Sequence, residues 1–350
     1  MNSKENFKSL WENYNGEYQS HVITNSTIDS TTELIEESDS KVVYMTDLEK
    51  RKQVYGICGE CNEPEFLNEI KSHLQIYLYD VIQCYGVTQD PNTKDYIMVL
   101  EYCKDGNLRN YYMNNKLSFY LKIFRLQQIA RGLFDIHNAG RIHKDFHSGN
   151  ILFNPDPYIS DLGMCQPANN EKQSAKQEGI YGVLPYMAPE VLRGYQYTKA
   201  SDIYSFGIMM NEYISEETPY SNVPHNHALS IKICKGLRPN IFKYTPKLLT
   251  DLITKCWDAK AENRLTAKEL YQKLVELIEF DDEYDDKIKL NRISEKRSNN
   301  IQTHPQAIYT SRLLNFKNLP EPVNSGAIQS TLFSEGFDCQ LDESDLNEMN

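Results

Sequence analysis

IHKDFHSGNILF, residues 142–153, is the stretch whose reading decides the fold. It sets Asp145 five residues before Asn150, both polar, between the apolar ends Ile142 and Ile151-Leu152-Phe153. A short way on, YISDLGM places Asp161 ahead of a Leu-Gly step. Immediately upstream, YLKIFRLQQIARGLFDIHNAG puts Leu126, Ile129, Leu133 and Ile136 on one face and ends at Gly140, a carboxyl cap. A long buried helix is therefore expected to lead straight into a polar loop. Farther upstream, DVIQCYGVT and DYIMVLEYC read as two strands joined by the turn-rich QDPNTK. FLNEIKSHL carries Phe66, Leu67, Ile70 and Leu74 at the spacing of a half-buried helix.

Any one of Asp145, Asn150 and Asp161 alone would be read as a residue serving the backbone of a turn. The ordered series reads differently. Phosphoryl transfer needs a carboxylate to orient the attacking hydroxyl and oxygen ligands that hold Mg²⁺ against the phosphates. Asp145, Asn150 and Asp161 can supply these roles.

Further motifs follow in order: Ala188, Pro189 and Glu190 in YMAPEVL, Asp202 and Gly207 in SDIYSFGI, and Arg264 in CWDAKAENRLTAKEL. With HKDFHSGN and DLG, the series resembles the eukaryotic protein-kinase domain over residues 65 to 280, and the surroundings of Trp257 and Arg264 are most similar to its tyrosine-kinase-like group. The resemblance implies an α+β, two-lobed protein-kinase-like fold with a truncated small β lobe and a complete, mainly α-helical carboxyl lobe. It implies ATP and Mg²⁺ as cofactors and a protein substrate or signalling partner. Residue by residue, Asp145 becomes the catalytic base, Asn150 and Asp161 the magnesium ligands, and Lys144 the neighbour of the base where most kinases have Arg. Glu101 to Cys103 becomes the hinge that meets adenine, Leu100 the gatekeeper and Leu152 the adenine floor. Glu69 becomes the carboxylate that pairs with a phosphate-binding lysine, and Arg264 the partner of Glu190.

Departures from the family pattern carry their own expectations. Lys144 offers a point charge in place of a bidentate fork, which weakens regulation by an activation-segment phosphate. Leu162 stands for the usual Phe, a mild apolar exchange. His147 stands for the usual lysine and Val183 for the usual threonine, so the type of acceptor hydroxyl is not legible; group analogy favours Ser/Thr over Tyr. The Gly-rich loop and the Val-Ala-x-Lys strand expected before Glu69 are not found, since the first alanine of the chain is Ala130. Lys52, in DLEKRKQVYG, is at a workable distance from Glu69 but in a charged setting. Weak nucleotide binding is expected, and a catalytically impaired pseudokinase or scaffold is the alternative to an active kinase.

Composition divides the 350 residues into three parts: a polar amino-terminal arm, 1–64, expected to be disordered; the domain, 65–280; and an acidic tail, 281–350, also expected to be disordered. The tail holds 13 Asp and Glu against 7 Lys and Arg, net −6 of the chain's −12. Net acidity with no basic stripe argues against nucleic acid. No apolar stretch reaches signal-peptide or membrane-span length, so a cytoplasmic protein is expected, with the nucleus as the other compartment. The eight cysteines are mostly scattered singly, as reduced core thiols are; Cys58 and Cys61 form a pair without the second pair that a structural zinc site wants.

Overall fold

The helix Lys199–Ser215 (α4) is buried from Ser201 through Ile214, on every face, and so belongs in the middle of a helical body. Its start is set by a reciprocal cap: Thr198 Oγ1 accepts from Ser201 N and Ser201 Oγ accepts from Thr198 N. Gly207 lets a neighbour come close, since a Cβ there would lie 2.8 Å from Cys256 Cβ on the helix Lys247–Cys256 (α6). The structure is a computed structural model that describes residues 21–23, 79–89, 92, 96–168, 179–279 and 303–324.

Leu108–Asn114 (α1) and the expected long helix, Phe119–Asn138 (α2), precede α4; α2 opens on Ser118, whose Oγ accepts from Leu121 N. Leu126, Ile129, Leu133 and Ile136 are fully buried, and α2 packs along Ala267–Glu279 (α7). Gly140 ends it at φ 72°, a left-handed conformation that costs glycine least, with its N–H donated to His137 O. The short helix Pro189–Leu192 (α3) and the helix His227–Cys234 (α5) complete the body. Among them Arg264 forks onto Glu190, Nη1–Oε1 2.6 Å and Nη2–Oε2 2.7 Å, the pairing the motifs implied.

The strands are short. Cys84–Gln89 (β2) and Tyr96–Leu100 (β3) form the expected antiparallel hairpin, and His21–Ile23 (β1) pairs with the other edge of β3. Val81 bridges in parallel to Ile159, and Arg131 holds Asp80 through two bonds of 2.6 and 2.9 Å, which fastens the hairpin to α2. Arg141–Ile142 (β4) pairs with Gln166–Pro167 (β7), and Ile151–Phe153 (β5) with Pro157–Ile159 (β6). Ile180–Gly182 (β8) pairs with Arg312–Leu314 (β9).

Strands β1 and β9 lie in the two end segments that composition sets apart from the domain. β1 lies in the arm expected to be disordered, where its three residues pair with the edge of β3. The acidic tail is not uniform either: residues 303–324 lie on the helical body, with Leu314 buried and Tyr309, Phe316 and Leu319 packed against the core. An apolar island inside a polar tail offsets its own ordering entropy by burial, which an average over the whole tail hides. The helix expected around Phe66 and Ile70 and the Cys58–Cys61 pair lie outside the described residues.

Candidate active site

The loop 142–153 is held from below by one buried carboxylate. Asp202, in the first turn of α4, accepts at Oδ2 from His143 N and His137 Nε2, both at 2.8 Å, and at Oδ1 from Lys144 N at 3.0 Å. These bonds hold Lys144 in the left-handed region, φ 73°, a costly conformation for a residue with a Cβ that persists only where the surroundings impose it. His143 Nε2 reaches Ser160 O at 3.1 Å and so ties the loop to the strand that delivers Asp161.

A second buried carboxylate fastens the far side. Glu212 Oε1 accepts from Arg109 Nε at 3.1 Å and from Tyr112 OH and Ser148 Oγ, both at 3.2 Å, while Oε2 accepts from Tyr186 OH at 2.6 Å. Arg109 Nη2 also reaches Ser148 Oγ at 3.1 Å. A fully buried acid with this many donors is satisfied, and the turn that presents Asn150 is rigid in consequence.

Asp145 is buried and stands between these anchors. Asn150 Nδ2 donates to its carbonyl at 2.9 Å and reaches its Oδ2 at 3.4 Å. His147 Nδ1 accepts from Gly149 N at 3.0 Å, which puts the ring proton on Nε2, 3.6 Å from Asp145 Oδ2. Ser311 Oγ donates to the same Oδ2 at 2.5 Å. Burial works to raise the Asp145 pKa, but the His147 Nε2–H and the Ser311 hydroxyl turned toward the carboxylate outweigh it and hold the carboxyl below the usual range. Asp161, at φ 59°, moves the other way: desolvation, then the like charge of Asp145, push its carboxyl up. Asp161 keeps exposed surface, and the Asp145 carboxylate beside it adds to the upward push.

Asn150 and Asp161 offer amide and carboxylate oxygens, hard donors suited to Mg²⁺, and a dication there would relieve the repulsion between Asp161 and Asp145. Lys144 Nζ points elsewhere, to Gln166 Oε1 at 3.3 Å and over the Tyr197 ring at 5.0 Å. Leu100, Cys103 and Leu152 come together in a small apolar cluster with Ile82 and Met98. Glu101 N donates to Gln83 O at 2.9 Å, and its Oε1 accepts from Asn154 Nδ2 at 3.3 Å. Burial first, then Glu101 and Asp105, push the Cys103 thiol to about 12, so it serves as packing. Glu69 lies outside the described residues.

Sequence reasoning missed Ser311 and the donors around Glu212. The signal for the first is the apolar spacing of AIYTSRLLNF within a polar tail. Glu212 and Arg109 have none, because buried charge pairs are made by the fold.

The family model for protein tyrosine and serine/threonine kinases matches residues 51–274, well over half of the chain. The chain belongs to the protein kinase family. Residues 51–64, read from composition as part of the arm, fall inside the matched span of this kinase domain. Among its relatives, a probable serine/threonine-protein kinase of Dictyostelium discoideum is 28% identical over 243 residues, 60% of this chain and 16% of the relative. Stress-activated protein kinase alpha of the same organism is 28% identical over 277 residues, 73% and 42% of the two chains. Human receptor-interacting serine/threonine-protein kinase 1 is 33% identical over 232 residues, 60% and 34%. The chain thus spans less than half the length of each of these relatives.

Proposed function

We propose that the chain transfers the γ-phosphoryl group of ATP to serine or threonine hydroxyls of a cytoplasmic protein partner in signalling. The observation that carries this reading is the serine hydroxyl seated on Asp145 Oδ2 at 2.5 Å, where a general base must meet the proton it removes. A segment paired to β8 brings a serine oxygen to this carboxylate; a tyrosine oxygen lies several ångströms farther from its backbone and would overshoot. Asp145 accepts the proton, and its depressed pKa keeps it ionised for that task. Asn150 and Asp161 would hold Mg²⁺, which when bound offsets charge on the phosphate oxygens. Leu100, Leu152 and Cys103 would line the adenine side, with Glu101 in the hinge and Glu69 as partner of a phosphate-binding lysine. Lys144 acts by position, bracing the loop against Gln166 and Tyr197.

A second reading rests on one specific feature, the absence of a Gly-rich loop and of an Ala-x-Lys strand ahead of Glu69. On it, the small β lobe is truncated and the chain is an impaired, tyrosine-kinase-like scaffold. One assay separates the two: Mg-ATP and a mixed peptide library with the purified chain, beside Asp145→Ala. The kinase reading expects serine and threonine phosphorylation that falls by about 10² to 10⁴ in the variant. Equal, background counts in both would establish the scaffold.

A further inference from the structure

We propose that Ser311 is this kinase's own phosphoacceptor, presented in cis by residues 303–324, and that its modification releases the segment from the substrate groove. The inference rests on the kinase reading above and deepens it by naming one substrate.

The segment is positioned as a substrate would have to be. β9 pairs with β8, Gly182 opposite Arg312, Tyr181 opposite Leu313 and Ile180 opposite Leu314, and Leu314 is buried. This register carries the residue before β9 to the catalytic loop, where Ser311 Oγ meets Asp145 Oδ2 and lies 3.5 Å from His147 Nε2. On the amino side, Tyr309 lies against the Arg109 guanidinium, 4.4 Å from its ring centre, and its hydroxyl donates to Pro219 O at 2.7 Å. His225 N donates to Gln306 O at 2.9 Å, and Arg312 Nη2 donates to His225 O at 2.6 Å. On the carboxyl side, Phe316 stacks on His227, and Asn324 Oδ1 accepts from Ala259 N at 2.8 Å. Both flanks are held, so the serine between them has little freedom to miss the base, and such preorganisation is most of what catalysis of this step requires.

In the transfer, the Ser311 O–H bond breaks and its proton goes to Asp145 Oδ2. A bond forms between Ser311 Oγ and the γ-phosphorus of ATP, the bond from that phosphorus to the β,γ-bridging oxygen breaks, and ADP leaves. Asp145 then releases that proton to solvent, which leaves the nearly two negative charges of the product beside a carboxylate, and like charges at that distance drive the segment out. The unphosphorylated segment therefore blocks other substrates, and a single turnover opens the site.

The test uses the full chain, dephosphorylated, with Mg-ATP across a dilution series, and maps phosphate by mass spectrometry. A synthetic peptide of residues 303–324 serves as substrate in trans. The expected result is phosphate on Ser311, formed at a rate independent of protein concentration and abolished by Asp145→Ala. Leu314→Asp, which makes the docking strand unfit for its buried site, should slow Ser311 modification and raise trans-peptide turnover about tenfold, as expected when a mostly occupied site is freed. Tyr309→Ala, at the edge of the contact, should do the same in smaller measure if the first variant folds poorly. A phosphorylated peptide with Ser311 unmodified, or modified in proportion to protein concentration, overturns the cis assignment and leaves the kinase reading standing. Phosphate on neither overturns both.

Discussion

Arg264 and Glu190, 74 residues apart, close a bidentate pair in which the guanidinium is wholly shielded from water. Arg264 also donates to the carbonyls of Ala200 and Asp258, at 3.0 and 2.9 Å, so one side chain ties α3, the start of α4 and the loop before α7 together. Arg264→Ala strands the Glu190 charge and should cost about 3 to 5 kcal/mol. For a body of this size that lowers the melting temperature by roughly 6 to 20 °C. An unchanged thermal denaturation curve would contradict the pair's structural role.

Asp202→Asn should damage the catalytic loop more than its near-identical shape suggests. Three donors converge on the carboxylate, two on Oδ2 and one on Oδ1, and an amide must turn an NH₂ toward at least one of them. The cost is about 1 to 3 kcal/mol in stability. Lys144 would also leave its imposed left-handed conformation, so turnover should fall with KM nearly unchanged, which steady-state kinetics on a peptide substrate would show.

Asp161→Asn should stabilise the protein while abolishing activity. The folded-state pKa of Asp161 is raised, so its ionised form costs stability at pH values above that pKa, and the cost disappears as pH falls and the group is protonated in both states. The variant should therefore melt above the parent at pH 7, with the gap closing below the ordinary carboxylate range. Asp145 has the opposite sign: its depressed pKa contributes stability that is present at neutral pH and lost as pH falls through it. Asp145→Asn should accordingly lower the melting temperature at pH 7, and a pH series of both variants distinguishes the two carboxylates.

Gly207→Ala probes the closest helix contact. The new Cβ would meet Cys256 Cβ at 2.8 Å, with the Trp257 backbone just beyond, so α4 and α6 must part. Overpacking of this kind costs about 1 to 3 kcal/mol, to be read as a lower denaturant midpoint at unchanged slope.

Much of the fold and of the site is legible in the amino-acid sequence alone. Gly140 and the face through Leu126, Ile129, Leu133 and Ile136 mark α2, because a helix period and a left-handed cap are local properties. The order of Asp145, Asn150, Asp161, Glu190, Asp202 and Arg264 identifies the family for a related reason: each type is demanded by chemistry or by one buried partner, and order along the chain survives without knowledge of distance.

What only the tertiary structure decided are the relationships between segments that share no local pattern. Ser311 is 166 residues from Asp145, and the acidity of residues 281–350 concealed the apolar spacing that docks it. Glu212 and Arg109 meet across 103 residues, and neither announces a partner, since an isolated Glu or Arg reads as surface until the fold removes its water. Sequence is thus sufficient where the physics is periodic or chemical. Position in space is needed where a side chain's meaning comes from the neighbour that burial imposes, as the hydroxyl of Ser311 gains its meaning from the carboxylate it faces.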